Sequence, residues 1–293
     1  MTTGLRQDDG PVLIVGATGY LGGQVLREVL GRGKQVRALV RPGSDTTRLP
    51  TERVEIVRGD MLDPATLVPA MDGVSAIITT AIGYSRRRET DSLRTDTEGN
   101  RNLVDAAKNA GVPRFVLLSI LACNEARKVP HFWAKKETEG YLEKAGIPFV
   151  ALRPGAFLGG MWVKAALEHG QFMAMTPAGV RITYIAPSEV ARDLALALDE
   201  PRALGRRIDL GSDRPLSGPE LAELLGRLLQ RKLETPPIRG LDADMSAMVE
   251  FFQTGRYVAD TRVQAELFGP VPKIEEEARR MLSEFGLLPP GTG

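Results

Sequence analysis

The chain is poor in the residues that build disulfide and metal frameworks: one cysteine, Cys123, and two histidines, His131 and His169, stand among 293 residues. A single thiol excludes an internal disulfide and fits a reducing compartment, so a cytoplasmic protein is expected. Cys123 follows a predicted strand and reads as a small buried apolar residue. Neither histidine has a carboxylate at ligand spacing, so no metal is expected. An excess of one charge is lacking too. Lys and Arg number 38 against 37 acids, which gives no bulk attraction to nucleic acid or to a membrane surface. No segment approaches the roughly 18 consecutive apolar residues of a membrane span. Internal repeats and low-complexity segments are absent, and residues 1–10, without an apolar signal core, read as a loose tail.

Glycine is plentiful, and its placement is informative. Residues 12–23 read Val-Leu-Ile-Val-Gly-Ala-Thr-Gly-Tyr-Leu-Gly-Gly. An apolar run suited to a buried strand leads into Gly16, Gly19 and Gly22, and Leu21, Val25, Leu26 and Val29 follow at helical spacing. The first glycine permits the tight strand-to-helix turn, the second lets backbone N–H groups reach a pyrophosphate, and the third lets the helix pack closely on the sheet. The helix N-terminus then presents its positive dipole end to the phosphates. Thr18, Gly19, Tyr20 and Leu21 form the rim of this expected cradle. A second strand, Gln35–Val40, ends at Arg41. About 20 residues past the glycines, an NAD-binding fold carries an acid for the ribose 2′-hydroxyl; here no acid occurs until Asp45. A guanidinium at that place can grip a 2′-phosphate with two hydrogen bonds, so NADP(H) is the expected cofactor.

Strands and helices alternate as in a parallel, doubly wound sheet. Further strands are predicted at Arg53–Val57, Val74–Thr80, Arg114–Ser119 and Phe149–Arg153, and Asp63-Pro64 reads as a helix start. Leu103, Ala106, Ala107 and Ala110 share one face of a helix. The fold class is therefore α/β, a Rossmann-type doubly wound parallel sheet with a smaller C-terminal substrate lobe. The dinucleotide domain is set at 11–155 and the lobe at 156–293, interleaved with a last strand near Arg207–Leu210. The lobe has one helix starting at Ser188 and another opened by a capping box of Ser217 and Glu220. Such a sheet binds its ligand outside the carboxyl ends of its strands. The cofactor is thus expected at Gly16, Arg41, Asp60, Met61, Thr79, Thr80, Ala81, Pro154, Gly155, Ala156 and Phe157.

The chemistry is expected between the strands ending at Ser119 and Pro154. In the helix running from His131 to Leu142, Ala134, Thr138, Tyr141, Leu142 and Ala145 form the sheet-facing stripe. His131 and Lys135, four apart, share one flank, whereas Lys136 points nearly opposite, toward solvent. Imidazole titrates near working pH and can deliver a proton, and Ser119 is placed to hydrogen-bond a substrate oxygen. The run Arg86, Arg87, Arg88 borders the cleft in this topology and reads either as a solvated loop or as a grip on an acidic group.

With its Gly16, Gly19 and Gly22 triplet, the chain resembles the short-chain dehydrogenase/reductase superfamily, and within it the atypical NmrA-like group. The Leu-Arg-Pro ending at Pro154, the Lys…Glu helix before Gly146-Ile-Pro, and the late Gly255-Arg-Tyr257-Val-Ala-Asp260 and Phe268-Gly-Pro stretches carry the resemblance. It implies an NADPH-dependent reductase acting on a small carbonyl or a conjugated, quinone- or enone-like substrate. It also implies that Lys135 binds the nicotinamide ribose. The superfamily pairs this lysine with a tyrosine four residues earlier, and here His131 takes that place. Some relatives lack turnover and sense NADP(H) for a protein partner, which is the alternative reading. An epimerase or dehydratase would need the missing tyrosine. A small-molecule substrate and a monomer or homodimer complete the expectation.

Overall fold

A computed structural model describes residues 10–83 and 93–288. The chain divides into two compact units, neither continuous in sequence: one comprises residues up to Ser119, Pro130–Leu152 and Ala191–Ile208, the other Ile120–Val129, Arg153–Val190 and Asp209 onward.

The first unit is built on β1 (Val12–Val15), β2 (Val36–Val40), β3 (Val54–Arg58), β4 (Ala76–Thr79), β5 (Phe115–Leu118) and β6 (Phe149–Pro154). With β9 (Arg207–Leu210) these make a seven-stranded sheet in the order β3-β2-β1-β4-β5-β6-β9. The unit boundaries fall within β6 and β9. Pairs from β1 to β6 are parallel, with Val15 opposite both Leu39 and Thr79. β1, β4 and β5 are buried along their whole length, as their continuous apolar sequences require of strands covered on both faces. The strand order reverses between β1 and β4, where open α/β sheets bind ligands.

The helices of this unit are α1 (Tyr20–Gly31), α2 (Asn100–Asn109) and α3 (Pro130–Ala145). Leu103, Ala107 and Leu142 pack with Leu13, Ile77, Phe115 and Leu117 in one core, and Tyr141 and Ala145 lie partly buried against it. The stripe expected on α3 is therefore the one that meets the core. Asp63-Pro64 does not start an α-helix. It opens a three-residue 3₁₀ turn, Pro64–Thr66, followed by another at Pro69–Met71. A second proline five residues on removes the N–H an α-helix would use there.

The second unit contains a two-stranded parallel sheet, β7 (Ala156–Phe157) and β8 (Tyr184–Ile185). Its helices include α4 (Met161–Glu168), α6 (Gly218–Leu228), α7 (Ala243–Phe252), α8 (Arg262–Phe268) and α9 (Ile274–Glu284), while α5 (Pro187–Leu196) runs across the unit boundary. Both halves of the capping box at α6 form: Ser217 Oγ accepts from Glu220 N, and Glu220 accepts from Ser217 N at 2.8 Å. Among the described residues no helix is long and apolar enough to cross a membrane.

A buried carboxyl holds α9. Glu277 Oε1 accepts from Ala186 N at 2.7 Å, and its other oxygen meets Ser212 Oγ. Ser212 Oγ also lies 2.7 Å from Tyr184 O. One hydroxyl proton cannot serve both acceptors. The set is satisfied when Glu277 is protonated and donates to Ser212, whose own proton goes to Tyr184 O. Burial pushes the Glu277 carboxyl up from 4.5 to about 7, with the Glu189 charge adding to the rise and the Ala186 N–H and the Arg280 charge opposing it. Asp213 Oδ1 accepts from Ile274 N at 2.9 Å and serves the N-terminus of α9 from outside the helix.

The folded state thus binds the Glu277 proton more tightly than the unfolded chain. Its stabilisation is complete below pH 4.5 and is lost as pH rises through about 7, roughly 3 kcal/mol at about 1.4 kcal/mol per unit. Glu277→Gln keeps an acceptor for Ala186 N and gains a donor for Ser212. Urea denaturation from pH 5 to 8 should show a shallower loss of stability in this variant than in the parent. Parallel profiles would refute a neutral Glu277.

Candidate functional site

The site grows out of the β1–α1 turn. Gly16 has φ +95°, and a Cβ there would meet Thr80 Oγ1 at 2.7 Å. Thr80 is itself fixed to β1, its N and Oγ1 donating to Val15 O at 2.9 and 3.2 Å. A Cβ on Gly22 would stand 2.0 Å from Gly16 O, so α1 can lie against the turn only through glycine. Gly19 differs. Its φ of −79° suits any residue, and the nearest atom to a built Cβ is Gly16 O at 3.2 Å. Gly19 caps α1 with no side-chain hydrogen bond, and the first turn carries no acid. Thr18 and Tyr20 are exposed, while Leu21 is buried and can offer an outside ligand only its backbone. This uncapped, unobstructed helix start fits a pyrophosphate.

Arg41 lies exposed just beyond β2. It begins the turn Arg41-Pro42-Gly43-Ser44, closed by Ser44 N donating to Arg41 O at 3.1 Å. Asp45 is turned onto Thr47, accepting from its N at 2.9 Å and its Oγ1 at 2.7 Å. These bonds hold the Asp45 carboxyl below its usual range. Beyond β3, Asp60 Oδ1 accepts from Leu62 N at 3.0 Å, and Met61 is buried. Gly16, Arg41, Asp60, Thr80, Ala81 and Ser119 all follow the carboxyl ends of their strands, as expected. Thr79, the last residue of β4, is wholly buried, and its Oγ1 accepts from Ala81 N at 3.4 Å.

On α3 the charged residues turn inward. Lys135 is 3% exposed. Its ammonium donates to Ala81 O at 3.1 Å and lies 3.9 Å from Asp96 Oδ1. Asp96, also buried, accepts from Gly83 N at 3.1 Å through its other oxygen. It sits in a π-helical turn, Thr95–Gly99, that leads into α2. Such turns are frequent at functional sites. One turn earlier on α3, His131 is half-buried, its ring edge-on to Phe132 at 4.8 Å. Lys136, expected in solvent, is half-buried and lies over the Trp133 ring at 4.7 Å.

Ser119 is buried, and its hydroxyl donates to Glu139 Oε1 at 2.5 Å. Glu139 Oε2 in turn accepts from Arg207 Nε at 3.1 Å. A hydroxyl that has given its proton to a carboxylate has only lone pairs left for another partner. In this arrangement the proton of Ser119, the residue expected to hydrogen-bond a substrate oxygen, serves Glu139.

Pro154, Gly155, Ala156 and Phe157 are in the second unit. Pro154 O accepts from Leu121 N at 3.1 Å and from the buried Tyr257 hydroxyl at 3.3 Å. Gly155 N donates to Leu210 O at 3.0 Å and Ala156 N to Thr183 O at 2.9 Å, while Phe157 is largely exposed. Arg86, Arg87 and Arg88 lie outside the described residues. Cys123 is buried. Among the described residues, no group of three or more His, Cys, Asp or Glu could hold a metal.

Asp96, Glu139 and Arg207 escaped the sequence reading. A signal for Asp96 existed: stepping back from the apolar stripe at Ala107 and Leu103 by helical intervals reaches Asn100 and then Asp96, two polar residues on a face bound to be buried. Asn100 is indeed wholly buried, its Nδ2 donating to Asp96 O at 2.9 Å.

The sequence profile of the NmrA-like family matches residues 8–259. The photosystem II assembly factor Ycf39 of Synechocystis is 28% identical over 288 residues, covering 96% of this chain and 87% of that protein. An NAD(P)H azoreductase of Xenophilus azovorans is 26% identical, covering 94% of this chain and 96% of its own. Among solved structures, an NADPH-dependent quinone oxidoreductase of Escherichia coli, complexed with NADPH, superposes with a TM-score of 0.77 at 23% identity, covering 92% of this chain and 99% of that one. The last likeness is one of fold.

The glycines give a contrast that separates fold from ligand. Gly22→Ala should destabilise the protein by at least the roughly 3 kcal/mol upper end of ordinary overpacking. Gly19→Val should leave the melting temperature within a few degrees yet abolish binding of the expected dinucleotide, titrated calorimetrically as NADPH. A Gly19→Val protein with normal NADPH affinity would show that the cradle is not the pyrophosphate site.

Proposed function

The chain belongs to the NmrA-like family, and from that premise we propose that it is an NADPH-dependent reductase. It passes hydride to a small carbonyl or to a conjugated, quinone- or enone-like acceptor. The observation that carries this reading is the buried ammonium of Lys135 on the carbonyl of Ala81. It puts a fixed positive charge at the exit of β4, beside the switch point that holds the uncapped glycine cradle. The NADP(H)-binding quinone oxidoreductase has the same fold, and the azoreductase relative matches over almost the whole chain.

Bound NADPH supplies the hydride; the chain's own residues bind, orient and protonate. Backbone N–H groups of the first turn of α1, beyond Gly19, take the pyrophosphate at the helix dipole, and Arg41 takes the 2′-phosphate. The Lys135 ammonium, seated on Ala81 O and beside Asp96, is the group that takes the ribose hydroxyls. His131, half-buried one turn away, delivers the proton to the substrate oxygen in place of the family's tyrosine. Ser119 and Glu139 act behind these groups by fixing α3 against the end of β5. A second reading, an NADP(H)-binding factor that acts on a protein partner without turnover, is favoured by the missing tyrosine and by the extent of the match to the assembly factor.

Measuring NADPH oxidation over a panel of quinones, enones, azo dyes and ketones tests the two readings. The reductase reading expects turnover, its near-loss in Lys135→Ala, and a fall of about 10² to 10⁴ in His131→Phe with NADPH affinity retained. If no acceptor oxidises NADPH faster than buffer does, the second reading stands. Turnover that survives His131→Phe would remove His131 as the proton donor. In binding titrations, Arg41→Ala should cost NADPH about 1.5 to 3 kcal/mol and leave NADH nearly unchanged; equal losses would exclude a 2′-phosphate contact.

A further inference from the structure

Arg58, the last residue of β3, stands opposite Val40 in the parallel register, one residue before Arg41. Its Nη1 donates to Arg41 O at 3.1 Å and to Ser44 O at 3.0 Å, and its Nη2 lies 3.5 Å from Thr46 Oγ1. One planar guanidinium therefore grips both ends of the Arg41–Ser44 turn. Within the turn, Gly43 holds φ +78°, the conformation a type II turn needs after proline. Asp45, the first acid past β2, is drawn onto Thr47. The loop after β2 is thus shaped from outside by a residue of the next strand.

We propose that Arg58 is a positioning residue for Arg41 and so sets the preference for a 2′-phosphorylated dinucleotide, a step that rests on the NADP(H) reading above. Arg41 is exposed, and a long exposed side chain gives up rotamer freedom when it grips a phosphate. Fixing its backbone beforehand lowers that cost for the 2′-phosphate and for no other part of the cofactor. Lysine could not replace Arg58 fully, because an ammonium lacks the planar fork that sets Nη1 between the two carbonyls while Nη2 faces Thr46 Oγ1.

The test uses the full chain and two fragments, 2′,5′-ADP and 5′-ADP, titrated calorimetrically. Arg58→Met, which keeps much of the aliphatic stem, should weaken 2′,5′-ADP by about five- to twentyfold while 5′-ADP stays within about twofold. Those losses span roughly 1 to 2 kcal/mol at 1.4 kcal/mol per tenfold. Arg58→Lys should recover part of the loss. In the double variant Arg41→Ala/Arg58→Met, 2′,5′-ADP should bind no more weakly than to Arg41→Ala alone, since a residue acting through Arg41 has nothing left to position. Additive losses would overturn the positioning role in favour of direct contact. Equal losses for the two fragments, or none for 2′,5′-ADP, would overturn the proposal while leaving the cofactor reading intact. If Arg41→Ala itself spares 2′,5′-ADP, the NADP(H) reading fails and this inference falls with it.

Discussion

The approach of α1 to the β1 turn, with no room for one carbon atom between Gly22 and Gly16 O, is the constraint on which the site depends. It brings the start of α1 against the end of β1. That contact aims the N–H groups of the helix start at the switch point between β1 and β4. Thr80 closes the same contact from β4 by bonding to Val15 O. The ligand-binding edge and the packing of the first helix are thus one piece of geometry. Gly19, three residues from each of Gly16 and Gly22, is less constrained: its φ is ordinary, and a Cβ there would press on Gly16 O at 3.2 Å, a much milder conflict than at Gly22.

A layer of buried charge lies beneath that edge. Lys135, Asp96 and Glu139 are each nearly without solvent exposure, and each is engaged by a carbonyl, an N–H, a hydroxyl or a guanidinium. Buried ions of this kind contribute little net stability, because desolvation offsets their attraction, yet removing one partner strands the other. Their effect is geometric. Asp96 links the loop after β4 to the start of α2, Lys135 links that loop to α3, and Glu139 links α3 to β5 and β9. The functional flank of α3 is set by polar contacts at its two inner turns as well as by the apolar stripe.

Much of this was legible in sequence where the signal is local and periodic. The glycine spacing and the flanking apolar run placed β1 and α1, the alternating Gln35–Val40 segment placed β2, and Ser217 with Glu220 placed the start of α6. Side-chain commitments across the fold were not legible. The tie of Ser119 was not visible because Glu139, which takes its proton, lies 20 residues on in α3. Arg58 carried no signal in sequence because its partners belong to the preceding loop. Asp63-Pro64 has the composition of a helix start, but a second proline shortened what followed to a turn. The membership of Ala191–Ile208 in the first unit also depends on contacts distant along the chain.

The proton on Glu277 also bears on how firmly α9 is held to the second unit. Ile274, Ala278, Met281 and Leu282 form the buried face of α9, and the carboxyl that anchors this helix to Ala186 N and Ser212 is stable there only while neutral. Partial unfolding proceeds through segments whose release costs least. In mild alkali the cost of releasing α9 falls, because ionised Glu277 gains hydration on leaving. The helix would peel away with its apolar face bare, so self-association at alkaline pH should begin at this end of the chain before global melting.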